Sequence, residues 1–459
     1  TSLRIESVAW RTEEYRYRSP IKFGGVAVDR ATLLHASITM TGSNGARATG
    51  FGSMPLGNVW AFPSKTLGYT QTLGALEWLG NRVGKAWNEV TEKGHPMDLG
   101  WAMEKRIAGF ASEATRELGL ADPVPVIAVL VSASPFDAAL HDGYGKLLGK
   151  SVWKCYGRDL LAGDLSRFLG KSYEGVYLED HVLPEPVPKL PLYHLVGALD
   201  PLDDTDLKSP VGDGLPETLE QWIPFNGLTH LKIKLNGDDL AWDVDRVRRV
   251  EEVATRAQAA RNIHSWQYSL DFNERCGSVE YLLEFLGKVR ETAGMAYDRV
   301  AYIEQPTKRD LKADRSNTMH RASALKPVVI DESLVDLESL ELAREMGYTG
   351  AALKACKGQT QSLLMAAAAR KMGMFLCVQD LTCPGASLVH SASLAAHIPG
   401  MAAIEANARQ YVPAANRAWE TKLPGLFRIK DGMIETGVLT SATLAVALRH
   451  AQCLGLWSE

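Results

Sequence analysis

The sequence predicts a two-domain α/β protein in which a (β/α) barrel follows a smaller α+β domain. Three observations carry this expectation. From Leu231 to Glu405 short apolar strands alternate with helical stretches, and the polar residues that end them (234, 271, 304, 331, 354, 380 and 405) lie 23 to 37 residues apart. One strand, one helix and two loops need roughly thirty residues in a barrel of this kind. Before that run, strands are followed by helices without alternation, as in a separate α+β domain. Between the two lies the Pro-rich Leu183-Pro184-Glu185-Pro186-Val187-Pro188, a linker or entry loop.

Taken in order, Arg4–Thr12 and Ala31–Thr41 read as strands parted by a turn at Gly24-Gly25, with a hairpin turn at Ser43-Asn44-Gly45. From Tyr69 the apolar period becomes helical, through Leu73, Leu76, Leu79 and Val83, then through Trp101–Leu118 and Ser134–Gly149. Residues 160–190 are irregular. Leu192–Leu199 supplies a first barrel strand, so eight can be placed. Phe427–Val438 reads as two short strands around Asp431-Gly432. The expected divisions are 1–150, a connecting segment 151–189, a barrel 190–425, and a C-terminal segment 426–459 returning to the first domain.

Composition excludes several classes of function. The net charge is −4, from 50 basic and 54 acidic residues, which gives no electrostatic case for nucleic acid or an anionic membrane. No apolar run reaches the eighteen or so residues that span a bilayer. Six cysteines (155, 276, 356, 377, 383 and 453) show no CxxC pair, which suits reduced thiols and a cytoplasmic location.

The chemistry lies in the strand tips. Asp271, Glu304 and Asp331 end three successive strands, and in a closed barrel such ends converge on one mouth. Three carboxylates so gathered cannot all stay ionised without a cation. An all-oxygen set favours a hard ion such as Mg²⁺. Lys232 and Lys234, two apart in a strand, share one face, opposite Leu231, Ile233 and Leu235. Alone, such a pair marks the wet face of an exposed strand; in a barrel it points inward. Lys354 then faces the pair across the mouth, whereas Lys357 reads as the start of the next helix. A lysine beside a metal and a second cation is expected to have a lowered pKa suited to a general base. Removing a proton α to a carboxylate makes an enediolate. A divalent ion about 4 Å from its charge contributes on the order of 8 kcal/mol at an effective dielectric near 20.

In Lys232-Ile233-Lys234, Asp271-Phe272-Asn273, Ile303-Glu304-Gln305-Pro306, Asp331-Glu332-Ser333 and Leu353-Lys354-Ala355-Cys356-Lys357, the chain resembles the enolase superfamily. Within it the likeness is to the muconate lactonizing enzyme subgroup of the mandelate racemase/muconate lactonizing enzyme family. It extends to Phe136–Asp142 with Gly145-Lys146 and Gly149-Lys150. The resemblance implies a modified TIM barrel, (β/α)₇β, with an α+β N-terminal capping domain, in an isomerase or lyase that is commonly a homo-oligomer. It implies Mg²⁺ held by Asp271, Glu304 and Asp331, with Lys234 and Lys354 as opposed acid/bases and Lys232 supporting a substrate carboxylate. Glu332 is expected to orient a lysine, and Asn273 and Glu405 to bind or orient substrate; Asp380 reads equally as a substrate or proton-network group and as a strand-end cap. Two lysines on opposite faces favour a racemase or epimerase; a cycloisomerase or acid-sugar dehydratase uses the same tips. A Schiff-base aldolase on Lys234 or Lys354 is the rival chemistry. Two departures bear on the substrate. The cap hairpin reads Gly50-Phe51-Gly52-Ser53 where relatives have a Gly-Glu pair, and the seventh strand ends in Gln379-Asp380-Leu381-Thr382. Trp60, Trp78, Trp87 and Trp101 are expected to pack the first domain, and His141 to be a satisfied buried histidine.

Overall fold

In the computed structural model, which describes residues 2–23 and 25–440, the first domain opens with an antiparallel sheet of β1 (Leu3–Phe23), β2 (Val26–Gly42) and β3 (Arg47–Pro55). One face of the sheet packs on helices α2 (Tyr69–Asn88) and α5 (Val126–Leu147); α1 (Asn58–Ala61), α3 (Pro96–Ile107) and α4 (Phe110–Glu117) complete the layer. The helical period from Tyr69 puts Leu76, Leu79 and Val83 into one buried stripe of α2. Gly50 and Gly52 let β3 lie directly on α5. A Cβ at Gly52 would stand 1.8 Å from the Pro135 carbonyl oxygen, and one at Gly50 1.9 Å from that of Ala139. That contact accounts for the glycines of the departing Gly50–Ser53 stretch.

The second domain is a closed barrel of eight parallel strands. They are β4 (Lys189–Val196), β5 (His230–Lys234), β6 (Gln267–Asp271), β7 (Val300–Glu304), β8 (Val328–Ile330), β9 (Gly350–Leu353), β10 (Phe375–Val378) and β11 (Ile404–Glu405). Each pairs with the next, and β11 closes the ring on β4 through Ile404 and Leu192. Helices such as Leu240–Ala260 and Gln359–Lys371 lie outside. This is the modified TIM barrel with a capping domain that the sequence predicts. Between the domains, residues 151–188 form short turns whose Trp153, Tyr156, Leu161 and Phe168 join the barrel core.

Of the C-terminal segment, residues 426–440 are described. Its strand β12 (Met433–Glu435) pairs antiparallel with β4, so the described part stays with the barrel rather than returning to the first domain. Leu190 and Ile434 are buried together in the barrel core there. Residues 441–459 lie outside the described residues. Among the described residues no helix is long and apolar enough to cross a membrane. The five cysteines among the described residues are free and buried.

Contacts on two sides join the domains near the barrel mouth. The β1–β2 hairpin reaches over it, where Lys22 donates to Asn236 (3.4 Å) and Arg18 pairs with Asp213 (2.6 Å). On the other side Asp137 of α5 accepts from the backbone N–H and the hydroxyl of Thr360, both at 2.8 Å. His141 lies beside it, fully buried and bonded to Thr360 and Tyr156, as a satisfied histidine should be.

Candidate active site

The period-two alternation of short strands turns the last inward-facing residue of each into the mouth. Lys232 and Lys234 of β5 are 2% and 5% exposed, and Lys354, just after β9, is 4% exposed. Lysines almost never bury so far without partners, so where their ammonium groups go defines the site.

Lys232 is enclosed by carboxylates. Its Nζ lies 3.1 Å from Asp271 Oδ2, 3.0 Å from Glu304 and 2.9 Å from Glu405 Oε2, and 3.3 Å from Gln379 Oε1. Lys234 donates to Asp271 Oδ2 and, at 2.9 Å, to Asn273 Oδ1. Lys354 stands 2.6 Å from Asp331 Oδ2. Lys357 donates to the backbone oxygen of Asp331 at 2.5 Å and lies 3.3 Å from its Oδ1. The acidic tips expected from three successive strands are therefore gathered at one mouth, and the expected lysines are all there.

Local backbone geometry is bent to achieve this. Asn273, Glu274 and Gln305, which follow β6 and β7, all have left-handed φ (44°, 59° and 31°), a conformation costly for residues other than glycine. The bend lets Asn273 N–H donate to Asp271 Oδ1 (2.8 Å) while its side chain reaches Lys234. The Gln305 side-chain oxygen accepts from the backbone N–H of Asp331 and of Ser333, fixing the loop after β8.

Electrostatics follow from burial. Removal from water works to raise the Asp271 carboxyl, but the Lys234 and Lys232 ammoniums hold it below the ordinary range. Asp331 is likewise lowered, by Lys354 and Lys357 against burial. Glu304 goes the other way: burial, with Asp271 and Asp331 nearby, pushes it well up despite Lys232. Burial and Asp331 lift Glu332 to about 7, and burial with Glu405 lifts Asp380 to about 6. The expected lowering of a lysine pKa presupposes a bound cation; among the protein's own groups Lys354 moves the other way. Although burial opposes it, contact with Asp331 carries it above the ordinary value. Lys232 is raised well up by Glu304, Glu405 and Asp271 against burial. Burial lowers Lys357 despite the neighbouring Asp331.

Several expected roles need revision. Glu332 does not touch a lysine; its Oε1 accepts from the Trp60 indole N–H at 2.9 Å and from Asn273 Nδ2 at 3.4 Å. Asp380 is a strand-end cap, accepting from the N–H groups of Leu381, Cys383 and Asn407, which leaves little of it for a substrate. Glu405 is committed to Lys232, the N–H of Asp380 and Asn407 Nδ2. Lys357 is part of the site rather than only a helix start. Trp60, expected among the packing tryptophans, is a site residue: its ring lies 4.1 Å from Lys354 Nζ. Nothing local in the sequence marks Trp60, because it arrives from the other domain. The K-x-x-K spacing from Lys354 to Lys357, across one short turn, was the available sign for Lys357.

Does the site suit a divalent cation? Among the described residues no three His, Cys, Asp or Glu side chains stand as a closed cage, since the carboxylates are shared out among ammonium groups. The donor set and charge nevertheless fit. Six buried carboxyl groups (Asp271, Glu304, Asp331, Glu332, Asp380 and Glu405) face four buried lysines (Lys232, Lys234, Lys354 and Lys357), a surplus of acidic groups over basic ones out of water. Glu304 Oε2 and Asp331 Oδ2 have ion-pair contacts but no hydrogen bond of good geometry, and Glu332 Oε2 is a buried oxygen with no hydrogen-bond partner. An all-oxygen set with that surplus is what Mg²⁺ takes.

The fold and mouth define a (β/α) barrel protein with a capping domain and a carboxylate–lysine centre. Residues 215–438 match the family model described as enolase C-terminal domain-like, so the resemblance of this chain to the enolase superfamily is shown for its barrel. No curated protein matches. Among solved structures, the L-Ala-D/L-Glu epimerase from Bacillus subtilis, in a substrate-liganded complex, is 16% identical with a TM-score of 0.58, covering 90% of this chain and 91% of that one. An enolase from Bradyrhizobium, complexed with magnesium and mandelic acid, is 17% identical with a TM-score of 0.58, over 98% of this chain and 99% of that one. Muconate lactonizing enzyme from Pseudomonas fluorescens, complexed with muconolactone, is 17% identical with a TM-score of 0.56, over 88% and 87%. At such identities the likeness is one of fold.

Proposed function

We propose that the protein is an Mg²⁺-dependent enzyme that abstracts the α-proton of a small carboxylate substrate, and that it acts as a racemase or epimerase. The observation that carries this is the pairing of two buried lysines from separated strands: Lys234 at the end of β5 on Asp271, and Lys354 after β9 on Asp331. In this reading Asp271, Glu304 and Asp331 hold the cation. Its chemistry, when bound, is to neutralise the charge that proton removal puts on the substrate's carboxylate oxygens.

The chain's own groups do the rest. Lys234 takes the proton from one face of the α-carbon and Lys354 delivers one to the other; with the opposite enantiomer the roles exchange. Asn273, bonded to Lys234, fixes that ammonium's direction. Lys232 holds Asp271, Glu304 and Glu405 in place, at distances of 2.9 to 3.1 Å. The hairpin tip, with Phe23 5.8 Å from Lys234, covers the mouth and limits water. Each lysine needs its carboxylate partner drawn off before it can act as a base, which ties base strength to occupancy of the carboxylates.

The test is α-deuterium incorporation into candidate carboxylates in D₂O with Mg²⁺, followed by NMR. Lys234→Met and Lys354→Met should each abolish exchange of one enantiomer first. Unchanged exchange in both variants overturns the lysine assignment, and exchange unaffected by EDTA overturns the cation's part.

A further inference from the structure

We infer that Trp60, carried in from the capping domain, is a positioning residue for Lys354, so that the acid/base on one face of the substrate is completed only when the two domains are docked. The inference rests on the reading of Lys354 as an acid/base. It begins with where Trp60 is held. Helix α1 starts at Gly57, whose φ of 42° is left-handed and where a Cβ would stand 2.7 Å from Leu381 beyond the end of β10. The turn is thus pressed onto the barrel, and only a glycine fits the junction.

Trp60 is then fixed at both its ends. Its indole N–H donates to Glu332 Oε1 at 2.9 Å, and its backbone oxygen accepts from Arg309 Nη2 at 3.0 Å. Arg309 is itself clamped on Glu274 by bonds of 2.7 to 3.0 Å, and the Glu274 N–H donates to the Gln305 oxygen at 2.8 Å. Between these anchors the ring face lies 4.1 Å from Lys354 Nζ and 5.9 Å from Lys357 Nζ.

An ammonium over an indole face is held by the ring quadrupole, and the more firmly when water is excluded. Lys354 has a flexible four-carbon stem, and Asp331 draws its Nζ from one side only. The ring closes off another side and leaves the ammonium a narrow arc at the mouth. Lys234 lacks such a support, its nearest ring being Phe23 at 5.8 Å. The two lysines are therefore held unequally. A plain packing role would be met by any large apolar side chain and needs no indole N–H aimed at a buried carboxylate.

The experiment compares wild type with Trp60→Phe, which keeps a ring face but loses the N–H, and Trp60→Leu, which loses both. Deuterium exchange is followed separately for the two enantiomers of a carboxylate that the wild type exchanges. Trp60→Leu should slow the enantiomer served by Lys354 about tenfold or more, and the other less than about twofold, with Trp60→Phe between. Equal slowing of both enantiomers, or none, overturns the inference. A second readout needs no substrate: competitive acetylation read by mass spectrometry should show Lys354 reacting about tenfold faster in Trp60→Leu, with Lys234 unchanged. An unchanged Lys354 rate overturns it. Wild type that exchanges no candidate carboxylate counts against the functional reading, while the acetylation rates still decide for or against Trp60.

Discussion

Lys232 Nζ of β5 lies 2.9 Å from the Glu405 carboxylate at the tip of β11. Between them is β4, which brings no charge of its own to that point; the ion pair ties the strands on either side of the barrel's closing seam. The same ammonium holds Asp271 and Glu304. Lys232→Met should therefore cost about 3–5 kcal/mol of stability, the cost of leaving buried charge unpaired. Urea unfolding measures it. A loss within about 0.5 kcal/mol of wild type, the size of an ordinary surface substitution, would contradict the role given to Lys232.

Metal addition should stabilise the protein. A cation that binds only the folded state contributes RT ln(1 + [L]/Kd), about 2.7 kcal/mol at a hundredfold excess over Kd. Thermal unfolding with rising Mg²⁺ should show this as a climbing Tm, lost in Asp271→Asn, Glu304→Gln and Asp331→Asn. A Tm that ignores Mg²⁺ in the wild type counts against the proposed ligands.

Stability should fall in mild acid because of histidines remote from the mouth. Burial lowers His95 to about 3, the Cys155 carbonyl bond notwithstanding, and lowers His230, His390 and His397 to about 4. Below pH 6.5 the unfolded chain takes up protons these folded imidazoles refuse, so their stabilisation is present above that pH and lost as pH falls toward 4. Each steepens the decline by up to about 1.4 kcal/mol per pH unit. His95→Asn, which keeps a cap for α3, should flatten the slope by one proton's worth; an identical slope would show that His95 does not contribute.

Two glycines should respond oppositely to alanine. At Gly52 the new Cβ would meet the Pro135 oxygen at 1.8 Å, so Gly52→Ala must separate β3 from α5 and should cost about 3 kcal/mol or more. Gly74 lies inside α2 with nothing within 4 Å of a Cβ. Gly74→Ala should gain roughly 0.5–1 kcal/mol. Denaturant unfolding of the pair tests both signs.

Much of this architecture was legible in the sequence, for a physical reason. Strand tips recur because each barrel unit must present a polar end to the mouth and an apolar body to the core, and that pattern is local. Asp271, Glu304, Asp331, Lys234 and Lys354 could be picked out because each lies at the end of its own strand. Residues whose part depends on partners distant in the chain could not. Trp60 is 272 positions from the Glu332 it bonds. Asp380 read equally as a substrate group and as a strand-end cap, and the three N–H groups the fold sets around it decide for the cap. The 2.6 Å contact of Lys354 with Asp331, which outweighs its burial, likewise joins residues of separate strands. The C-terminal strand lies on β4, where Ile434 and Leu190 are buried together, a pairing between residues far apart in the chain.

By itself, then, the sequence determined the periods: two residues for strands, 3.6 for helices, about thirty for the barrel unit, and with them the order of charged tips around the ring. The tertiary structure alone decided which of those charges neutralise one another and which cap residue leans on which lysine. Periodicity is carried by neighbours in the chain, whereas the partner of a buried charge is whatever the closed barrel and the docked cap bring within a few ångströms of it.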